Sequence, residues 1–288
     1  MNQALQPSYM KKTTLRSRLR AIAKYPIPLT INELNAANNG QKVLINSLPK
    51  SGTFLLRRAL SILPNFAPRW SIHGLDAGEP NLNRKIQNIR RGQFASGHLY
   101  WSEELTDLLV TNNIRTIFII RDLRDVAVSL AFYLANKKSN HHLYDYFASL
   151  ESNDDRLMEV ILGAKQQLFS DCPTPKSLGE FGMAFFPWLK EPNCLAVRFE
   201  DLIGSAGGGD DQKQIESFRE IINYLELDIS AEKTAQLSQK LFFQNSHTFR
   251  KGKIGDWQNW FTAEHKRVFK EFAGKALIEF GYEDDDDW

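Results

Sequence analysis

Short apolar runs alternate with stretches of helical periodicity along much of the chain. Residues 43–45 (Val-Leu-Ile) form one such run, which ends at a Pro-Lys-Ser-Gly turn, and the apolar positions from Phe54 to Ile62 then follow helical spacing. Residues 116–120 form a second run, followed by a helical pattern at 126–134. Continuous apolar strands separated by helices are typical of a parallel sheet covered on both faces. The pattern therefore predicts an α/β fold with a central parallel sheet flanked by helices on both faces.

The last third of the chain is predicted to be mostly helical. A third strand at 194–199 leads into a turn at 200–202 and a flexible glycine-rich segment at 204–209. Helical patterns follow at 213–227, 230–242 and 262–280. Thr262 is a residue type that caps helix N-termini, so the last helix should begin there.

The chain shows no internal repeat and no long low-complexity linker, which favours a single domain over residues 29–288. Residues 1–28 carry six basic side chains and no uninterrupted apolar run, so they are predicted to be a basic lead-in rather than a signal peptide or membrane anchor. A partner-binding or membrane-surface arm and a merely solvated segment are both compatible with this charge. No stable membrane association is expected.

Composition narrows the functional class only slightly. The 36 basic and 34 acidic residues give a net charge of +2, which argues weakly against a dedicated nucleic-acid partner. The two cysteines form no CxxC pair, so a disulfide framework or a zinc site is not expected. A reducing compartment fits this cysteine usage, and we expect a cytoplasmic protein.

The turn after the first strand, residues 49–53 (Pro-Lys-Ser-Gly-Thr), is the first candidate ligand site. Ligands of parallel sheets bind beyond the carboxyl ends of the strands, and backbone N–H groups at a helix start suit an anion. Lys50 would add a mobile cation, and Ser51 and Thr53 would add hydroxyl donors. An ordinary strand–helix turn with a capping residue is the alternative. The segment is not a Walker A loop, because its glycine follows the lysine.

Two further segments combine cations with small residues. Arg121 leaves the second strand at its carboxyl end and Ser129 lies in the following helix, so together they could orient a phosphate; an Arg121–Asp125 salt bridge that closes the turn is the alternative. In the run Arg250-Lys251-Gly252, a glycine would let the backbone approach a ligand, and a solvated loop is the alternative.

Together these segments resemble the PAPS-dependent sulfotransferases of the cytosolic and bacterial type, from about residue 42 to about 280. The resemblance also rests on the segments 186–189, 197–202 and 255–257. It implies a P-loop-NTPase-like sulfotransferase fold and 3′-phosphoadenylyl sulfate (PAPS) as co-substrate, with adenosine 3′,5′-bisphosphate as product. The binding residues that it implies are Lys50, Ser51, Gly52, Thr53, Phe54, Arg121, Ser129, Ser238, Arg250, Lys251 and Gly252. Phe54 stands where many members have a second Thr.

His98, in Ser-Gly-His-Leu, resembles the catalytic histidine of the family. Neutral imidazole, with an ordinary pKa of about 6.5, suits abstraction of a proton at neutral pH. The resemblance thus implies sulfuryl transfer to a hydroxyl or amino group of a small-molecule acceptor, with His98 as general base and Lys50 stabilising the leaving phosphate. No metal is expected to be required. A monomer or weak homodimer is expected, since the dimer motif of some members has no clear counterpart here.

Two other functions share a phosphate site of this kind. A P-loop-type nucleotide kinase would need a Walker A loop and an acidic magnesium ligand, and neither is evident. A non-catalytic nucleotide-binding scaffold would not need both Lys50 and His98. The acceptor cannot be identified from the sequence. The segments 64–95 and 135–185, together with Phe132 and Tyr133, are expected to shape its pocket.

Overall fold

A sheet of five parallel strands lies at the centre of the computed structural model, which describes residues 40–72, 81–136, 141–163, 177–242 and 251–288. The strands are β1 (Lys42–Ser47), β2 (Ala67–Ser71), β3 (Gln93–Gly97), β4 (Ile114–Ile120) and β5 (Cys194–Arg198). Their order in the sheet is β2-β3-β1-β4-β5. Every neighbouring pair is parallel, which confirms the predicted sheet.

The helices lie between and after the strands. Those in the described ranges are α1 (Thr53–Ile62), α2 (Leu82–Gln87), α3 (Glu103–Thr111), α4 (Leu123–Leu134), α5 (Tyr144–Ser149), α6 (Asn153–Leu162), α7 (Leu178–Met183), α8 (Phe199–Leu202), α9 (Asp211–Tyr224), α10 (Ala231–Ser238) and α11 (Ala263–Glu279). Short 3-10 helices occur at Phe186–Lys190, Ser205–Gly207 and Asp256–Asn259.

Strands β1, β3 and β4 supply side chains to two separate apolar cores, because successive residues of a strand point to opposite faces. Val43 and Ile45 of β1 face a cluster that includes α1 and α9. Leu44 faces the other cluster, which is built on α4, α6, α7 and α11. Burial on both faces explains why β1 and β4 have continuous apolar sequences.

The central position of β1 defines where a ligand can bind. The chain crosses from β1 to the edge strand β2, returns to β3 beside β1, and then passes to β4 on the other side of β1. The strand order therefore changes direction around β1. The loops after β1, β3 and β4 all lie at the carboxyl ends of the parallel strands. Crevices at such switch points are the usual ligand sites of parallel sheets.

Several predicted boundaries are corrected by the structure. The turn predicted at 200–202 belongs to helix α8, and the glycine-rich segment contains a 3-10 helix. The helices predicted at 213–227 and 230–242 are shorter, since Glu226 adopts a positive φ of 56° that ends α9, and a turn follows Ser238. The predicted cap at Thr262 is confirmed, because its side chain accepts a hydrogen bond from the backbone N–H of His265. The domain boundary at residue 29 lies outside the described residues.

Candidate active site

The loop after β1, residues 49–53, is called the first loop here. Lys50 and Gly52 have positive φ angles of 71° and 109°, and Gly52 forms the N-cap of α1 without a side-chain cap. A Cβ atom at Gly52 would lie 2.7 Å from the Phe199 ring, so only glycine fits. Ser51 is fully buried, and its Oγ has no hydrogen-bond partner in the described structure. The first loop thus presents a bare helix start and an unused hydroxyl, which together suit an anion.

The side chains next to this helix start are Lys50, Thr53 and Phe54. The Lys50 ammonium lies 4.1 Å from the ring centroid of Tyr133 in α4, within the range of a cation–π contact. The hydroxyls of Thr53 and Ser47 are 2.7 Å apart. Phe54 is 49% exposed and could cover a ligand without any rearrangement of the core.

His98 follows β3 and is oriented by the end of β1. Its Nδ1 lies 2.8 Å from the carbonyl oxygen of Ser47. Since a carbonyl oxygen can only accept, Nδ1 must carry the proton, and in the neutral ring the lone pair is then on Nε2. His98 therefore has the tautomer of a general base that acts through Nε2.

The position of His98 also depends on residues that sequence reasoning missed. Asn46 is buried and makes two 2.8 Å hydrogen bonds with the backbone of Leu99: its Oδ1 accepts from the N–H and its Nδ2 donates to the carbonyl. The indole of Trp188 donates to the same carbonyl at 2.9 Å. In the sequence, the signal for these hydrogen bonds was a polar Asn directly after the apolar run of β1.

Arg121 lies between the first loop and a second loop near the end of the chain, residues 251–257, called the late loop here. Its guanidinium donates to the carbonyl of Lys253 at 2.7 Å and to that of Lys50 at 3.5 Å. It also pairs with Asp125 at 3.4 Å, so the salt bridge considered from the sequence is present. The Nε atom of Arg121 is buried and lacks a hydrogen-bond partner in the described residues. Arg121 thus joins the two loops and retains one buried donor.

Asp125 holds the late loop against α4, and sequence reasoning saw it only as a partner for Arg121. Its Oδ2 accepts from the backbone N–H of Gly255 at 2.9 Å, and its Oδ1 accepts from that of Trp257 at 3.0 Å. Burial raises the pKa of the Asp125 carboxyl, against the opposing effects of Arg121 and these two N–H groups. Asp125 is only 1% exposed, so the late loop is held by a buried acceptor.

The late loop contains two glycines and two lysines. Gly252 and Gly255 have positive φ angles of 58° and 71°. The Lys251 ammonium lies 3.0 Å from a carboxylate oxygen of Asp256, while the side chain of Lys251 stays 44% exposed. An incoming phosphate would therefore share Lys251 with Asp256. The predicted contribution of Arg250 lies outside the described residues.

The two predicted serines lie on helices beside these loops. Ser129 is half-buried in α4, one helical turn before Tyr133 and two turns after Arg121. Ser238 ends α10, is 1% exposed, and donates to the carbonyl of Ala235 at 2.8 Å. The Arg58 side chain donates to the carbonyl of Lys240 at 3.1 Å, which brings the end of α10 against α1.

The aromatic residues expected near the acceptor have different environments. Phe132 contacts Trp260, with ring centroids 4.7 Å apart, and Tyr133 lies against Lys50. Phe147 is fully buried in the core, so it cannot contact an acceptor directly. The stretch 164–176 and part of the 64–95 stretch lie outside the described residues.

Within the described ranges, no group of three or more His, Cys, Asp or Glu side chains could hold a metal ion. No helix among the same residues is long and apolar enough to cross a membrane.

Comparison with known proteins identifies the family. The sulfotransferase domain matches residues 40–281, which is most of the chain. The chain belongs to the sulfotransferase family. The resemblance predicted from the three motifs is thereby confirmed, and sulfuryl transfer is the general activity of this family.

Two curated plant proteins are similar to this sulfotransferase. The flavonol sulfotransferase-like protein of Flaveria bidentis is 24% identical over 259 residues, which cover 82% of this chain and 81% of the relative. Cytosolic sulfotransferase 16 of Arabidopsis thaliana is 24% identical over 265 residues, covering 77% of this chain and 71% of the relative.

Solved structures confirm the fold. Mouse sulfotransferase SULT7A1, complexed with PAP, superposes with a TM-score of 0.59 at 18% identity, covering 87% of this chain and 89% of that one. Retinol dehydratase, in a complex with retinol and PAP, gives a TM-score of 0.53 at 16% identity, covering 85% of each chain. The predicted P-loop-like sulfotransferase fold is therefore correct.

Proposed function

We propose that this sulfotransferase transfers the sulfuryl group of PAPS to a hydroxyl or amino group of a small-molecule acceptor, with His98 as general base. The observation that carries the proposal is the arrangement around Ser47. Its carbonyl oxygen orients Nδ1 of His98, and its hydroxyl meets Thr53 at the start of α1. A proton acceptor and an anion site are thereby held at the end of one strand.

The first loop would hold the phosphosulfate. It supplies a cation, backbone N–H groups at the helix start and hydroxyls. The residues concerned are Lys50, Ser51, Gly52, Thr53 and Phe54. The buried Oγ of Ser51 is an unused donor in the described structure, and a negatively charged oxygen would satisfy it. PAP in the two solved neighbours is consistent with a nucleotide of this kind.

The 3′-phosphate would be held by the region that Arg121 connects. We assign its binding to Arg121, Ser129, Lys251 and Gly252, together with Arg250, and we place Ser238 on the adenine side. Arg121 has a buried Nε donor without a partner in the described residues, and Lys251 is an exposed cation of the late loop, to which Arg121 donates at Lys253. A planar guanidinium and an ammonium are the usual donors to phosphate.

The chemistry would proceed by in-line displacement at sulfur. The acceptor oxygen or nitrogen forms the new bond to sulfur as the bond from sulfur to the bridging phosphate oxygen breaks. Nε2 of His98 takes the acceptor proton. Lys50 and the N–H groups of the first loop stabilise the charge that builds on the departing phosphate. The products are the sulfated acceptor and adenosine 3′,5′-bisphosphate.

Isothermal titration with adenosine 3′,5′-bisphosphate and with AMP tests the donor site. We expect the bisphosphate to bind at least about tenfold more tightly, which corresponds to about 1.4 kcal/mol. Equal affinities would contradict the assignment of Arg121 and the late loop to a 3′-phosphate.

The His98→Ala variant tests the role of the base. Transfer from PAPS to a panel of phenols, alcohols and amines should fall by about 10²–10⁴, the usual contribution of a general base, while bisphosphate affinity changes little. His142→Ala serves as the control, since His142 is exposed. Binding without turnover in the unmodified protein would instead support the scaffold function.

A further inference from the structure

Residues 282–288 contact the late loop through Trp288, whose ring meets that of Trp257. We propose that this segment, called the strap, positions the late loop for the 3′-phosphate and that Trp288 is its main contact. The proposal rests on the proposed function, because it concerns how tightly the same nucleotide is held. The segment includes the acidic run Asp284 to Asp287.

Several contacts attach the strap to the body of the protein. The Tyr282 hydroxyl donates to Glu200 at 2.8 Å, and Glu283 pairs with Arg124 at 2.5 Å. Lys270 of α11 donates to the carbonyl of Asp286 at 2.5 Å. The Trp288 ring packs against Phe269 of α11, with centroids 5.9 Å apart. Such a series of contacts fixes the path of the segment, although Asp284 to Asp287 are exposed.

Arg124 connects the strap to the start of α4. It is 5% exposed, and its Nε and NH2 groups donate to the carboxylate of Asp122 at 2.7–3.1 Å. Its guanidinium carbon lies 4.3 Å from the ring centroid of Trp257 and 4.5 Å from that of Trp288. A buried cation is stable only while its carboxylate and aromatic partners stay in place. The strap therefore completes the surroundings of Arg124.

Trp257 is where the strap meets the late loop. Its backbone N–H donates to Asp125, and its ring meets the Trp288 ring edge to face, with centroids 5.7 Å apart. The late loop is thus held by Asp125 through its backbone and by Trp288 through the ring of Trp257. Removal of the Trp288 ring would take one aromatic contact from both Trp257 and Arg124.

A loosened late loop would have to become ordered again when the nucleotide binds, and this ordering lowers affinity. The cost applies to adenosine 3′,5′-bisphosphate, whose 3′-phosphate uses the late loop, and much less to AMP, which has none. A segment that only stabilised the fold would lower thermal stability without changing the ratio of the two affinities. The ratio therefore separates a positioning role from a structural one.

The experiment titrates the full chain and its variants with both nucleotides. Trp288→Ala should weaken bisphosphate binding about tenfold and AMP binding by less than about twofold. The KM for PAPS should rise similarly with little change in kcat, because Lys50 and His98 lie outside the late loop. Trp288→Phe should restore most of the affinity, and Asp284→Asn, an exposed change in the same segment, should behave as the unmodified protein.

The outcomes are distinguishable from failure of the proposed function. No preference for the bisphosphate in the unmodified protein would overturn that function. If Trp288→Ala keeps the preference for the bisphosphate unchanged, or weakens the binding of both nucleotides equally, the proposal about the strap is wrong. The proposed function is not affected by that result. If Trp288→Ala does not fold, Glu283→Gln decides in the same titrations, because it removes the ion pair to Arg124 and keeps both rings. It should weaken bisphosphate binding about threefold, and an unchanged ratio would overturn the proposal.

Discussion

The first loop and the late loop both contact Arg121 at the carboxyl end of β4, but they are stabilised in different ways. In the first loop, the helix start has no side-chain cap and the Ser51 hydroxyl has no partner in the described structure. In the late loop, the N–H groups of Ile254, Gly255 and Trp257 all donate to protein acceptors. The first loop therefore keeps the Ser51 hydroxyl and a helix start without a side-chain cap for a ligand, whereas the late loop uses these three N–H groups to hold its own shape.

This difference indicates separate tasks for the two loops. A loop with unused donors can stabilise charge that develops during a reaction, because the donors need not leave other partners first. A loop held by many protein contacts can position a group that does not react, such as a 3′-phosphate. Changes in the first loop should therefore affect turnover most, and changes around the late loop should affect binding and stability most.

Within the two loops, the largest effect is expected at Lys50 in the first loop. Lys50→Ala removes the cation next to the anion site and should lower kcat by about 10²–10³, the loss typical of one stabilising donor. The melting temperature should stay close to that of the unmodified protein. Lys253→Ala is a matched control, because Arg121 contacts the backbone carbonyl of Lys253 and the side chain is exposed. Near-normal turnover in Lys50→Ala would contradict the assigned role.

A smaller effect, on stability and binding together, is expected at Asp125. Asp125→Asn leaves one acceptor oxygen for the two N–H groups of the late loop and places an amide N–H₂ against the other. The free energy of unfolding, measured in urea, should fall by about 2–3 kcal/mol. Bisphosphate affinity should fall with it, whereas Asp107→Asn on the exposed face of α3 should change neither. An intact preference for the bisphosphate would show that the late loop does not depend on Asp125.

The free energy of unfolding should also depend on pH, because the pKa of Glu200 in α8 differs between the folded and unfolded states. Burial raises the pKa of Glu200, despite hydrogen bonds from Asp122 and Tyr282. A carboxyl whose pKa is higher in the folded state gives its full stabilisation below the unfolded pKa of about 4.3, and this is lost as pH rises through the folded value. Glu200→Gln does not ionise, so its free energy of unfolding relative to the unmodified protein should increase as pH rises from the unfolded pKa to the folded pKa of Glu200, and stay constant above it. The slope can reach at most about 1.4 kcal/mol per pH unit.

Urea unfolding of both proteins between pH 4 and pH 8 measures this difference. Glu216→Gln, an exposed change on α9, is the control and should follow the unmodified protein at every pH. A constant difference between Glu200→Gln and the unmodified protein would show that Glu200 has the same pKa in the folded and unfolded states.

The smallest effect is expected at Tyr133, which contacts Lys50 from α4. Tyr133→Leu removes the aromatic face and should lower kcat by about two- to fivefold, in line with about 0.5–1 kcal/mol for a cation–π contact. Tyr133→Phe keeps the ring and should retain activity. Phe132→Leu is the neighbouring control, since its ring contacts Trp260 instead of Lys50. Equal losses in Tyr133→Leu and Tyr133→Phe would assign the effect to the hydroxyl.

The strands buried on both faces were predictable, and the edge of the sheet was less so. β1 and β4 are continuous apolar runs because each lies between two cores. β2 lies at the edge and includes Pro68 and Arg69, a composition that edge positions tolerate but that gives no clear strand pattern. β3 is short and carries Gln93 and Ser96, so its pattern is equally weak.

The sequence by itself determined the fold class, the order of the motifs and the residue types at the site. Lys50, His98 and Arg121 stand directly after strands, and local rules place strand ends of a parallel sheet at one edge. Only the tertiary structure decided the hydrogen bonds and ring contacts around them. Asn46 contacts Leu99 across 53 residues of sequence, and Asp125 contacts Gly255 across 130. Such partners are chosen by how the helices and loops pack on the sheet, and no local pattern of polar and apolar residues specifies that packing.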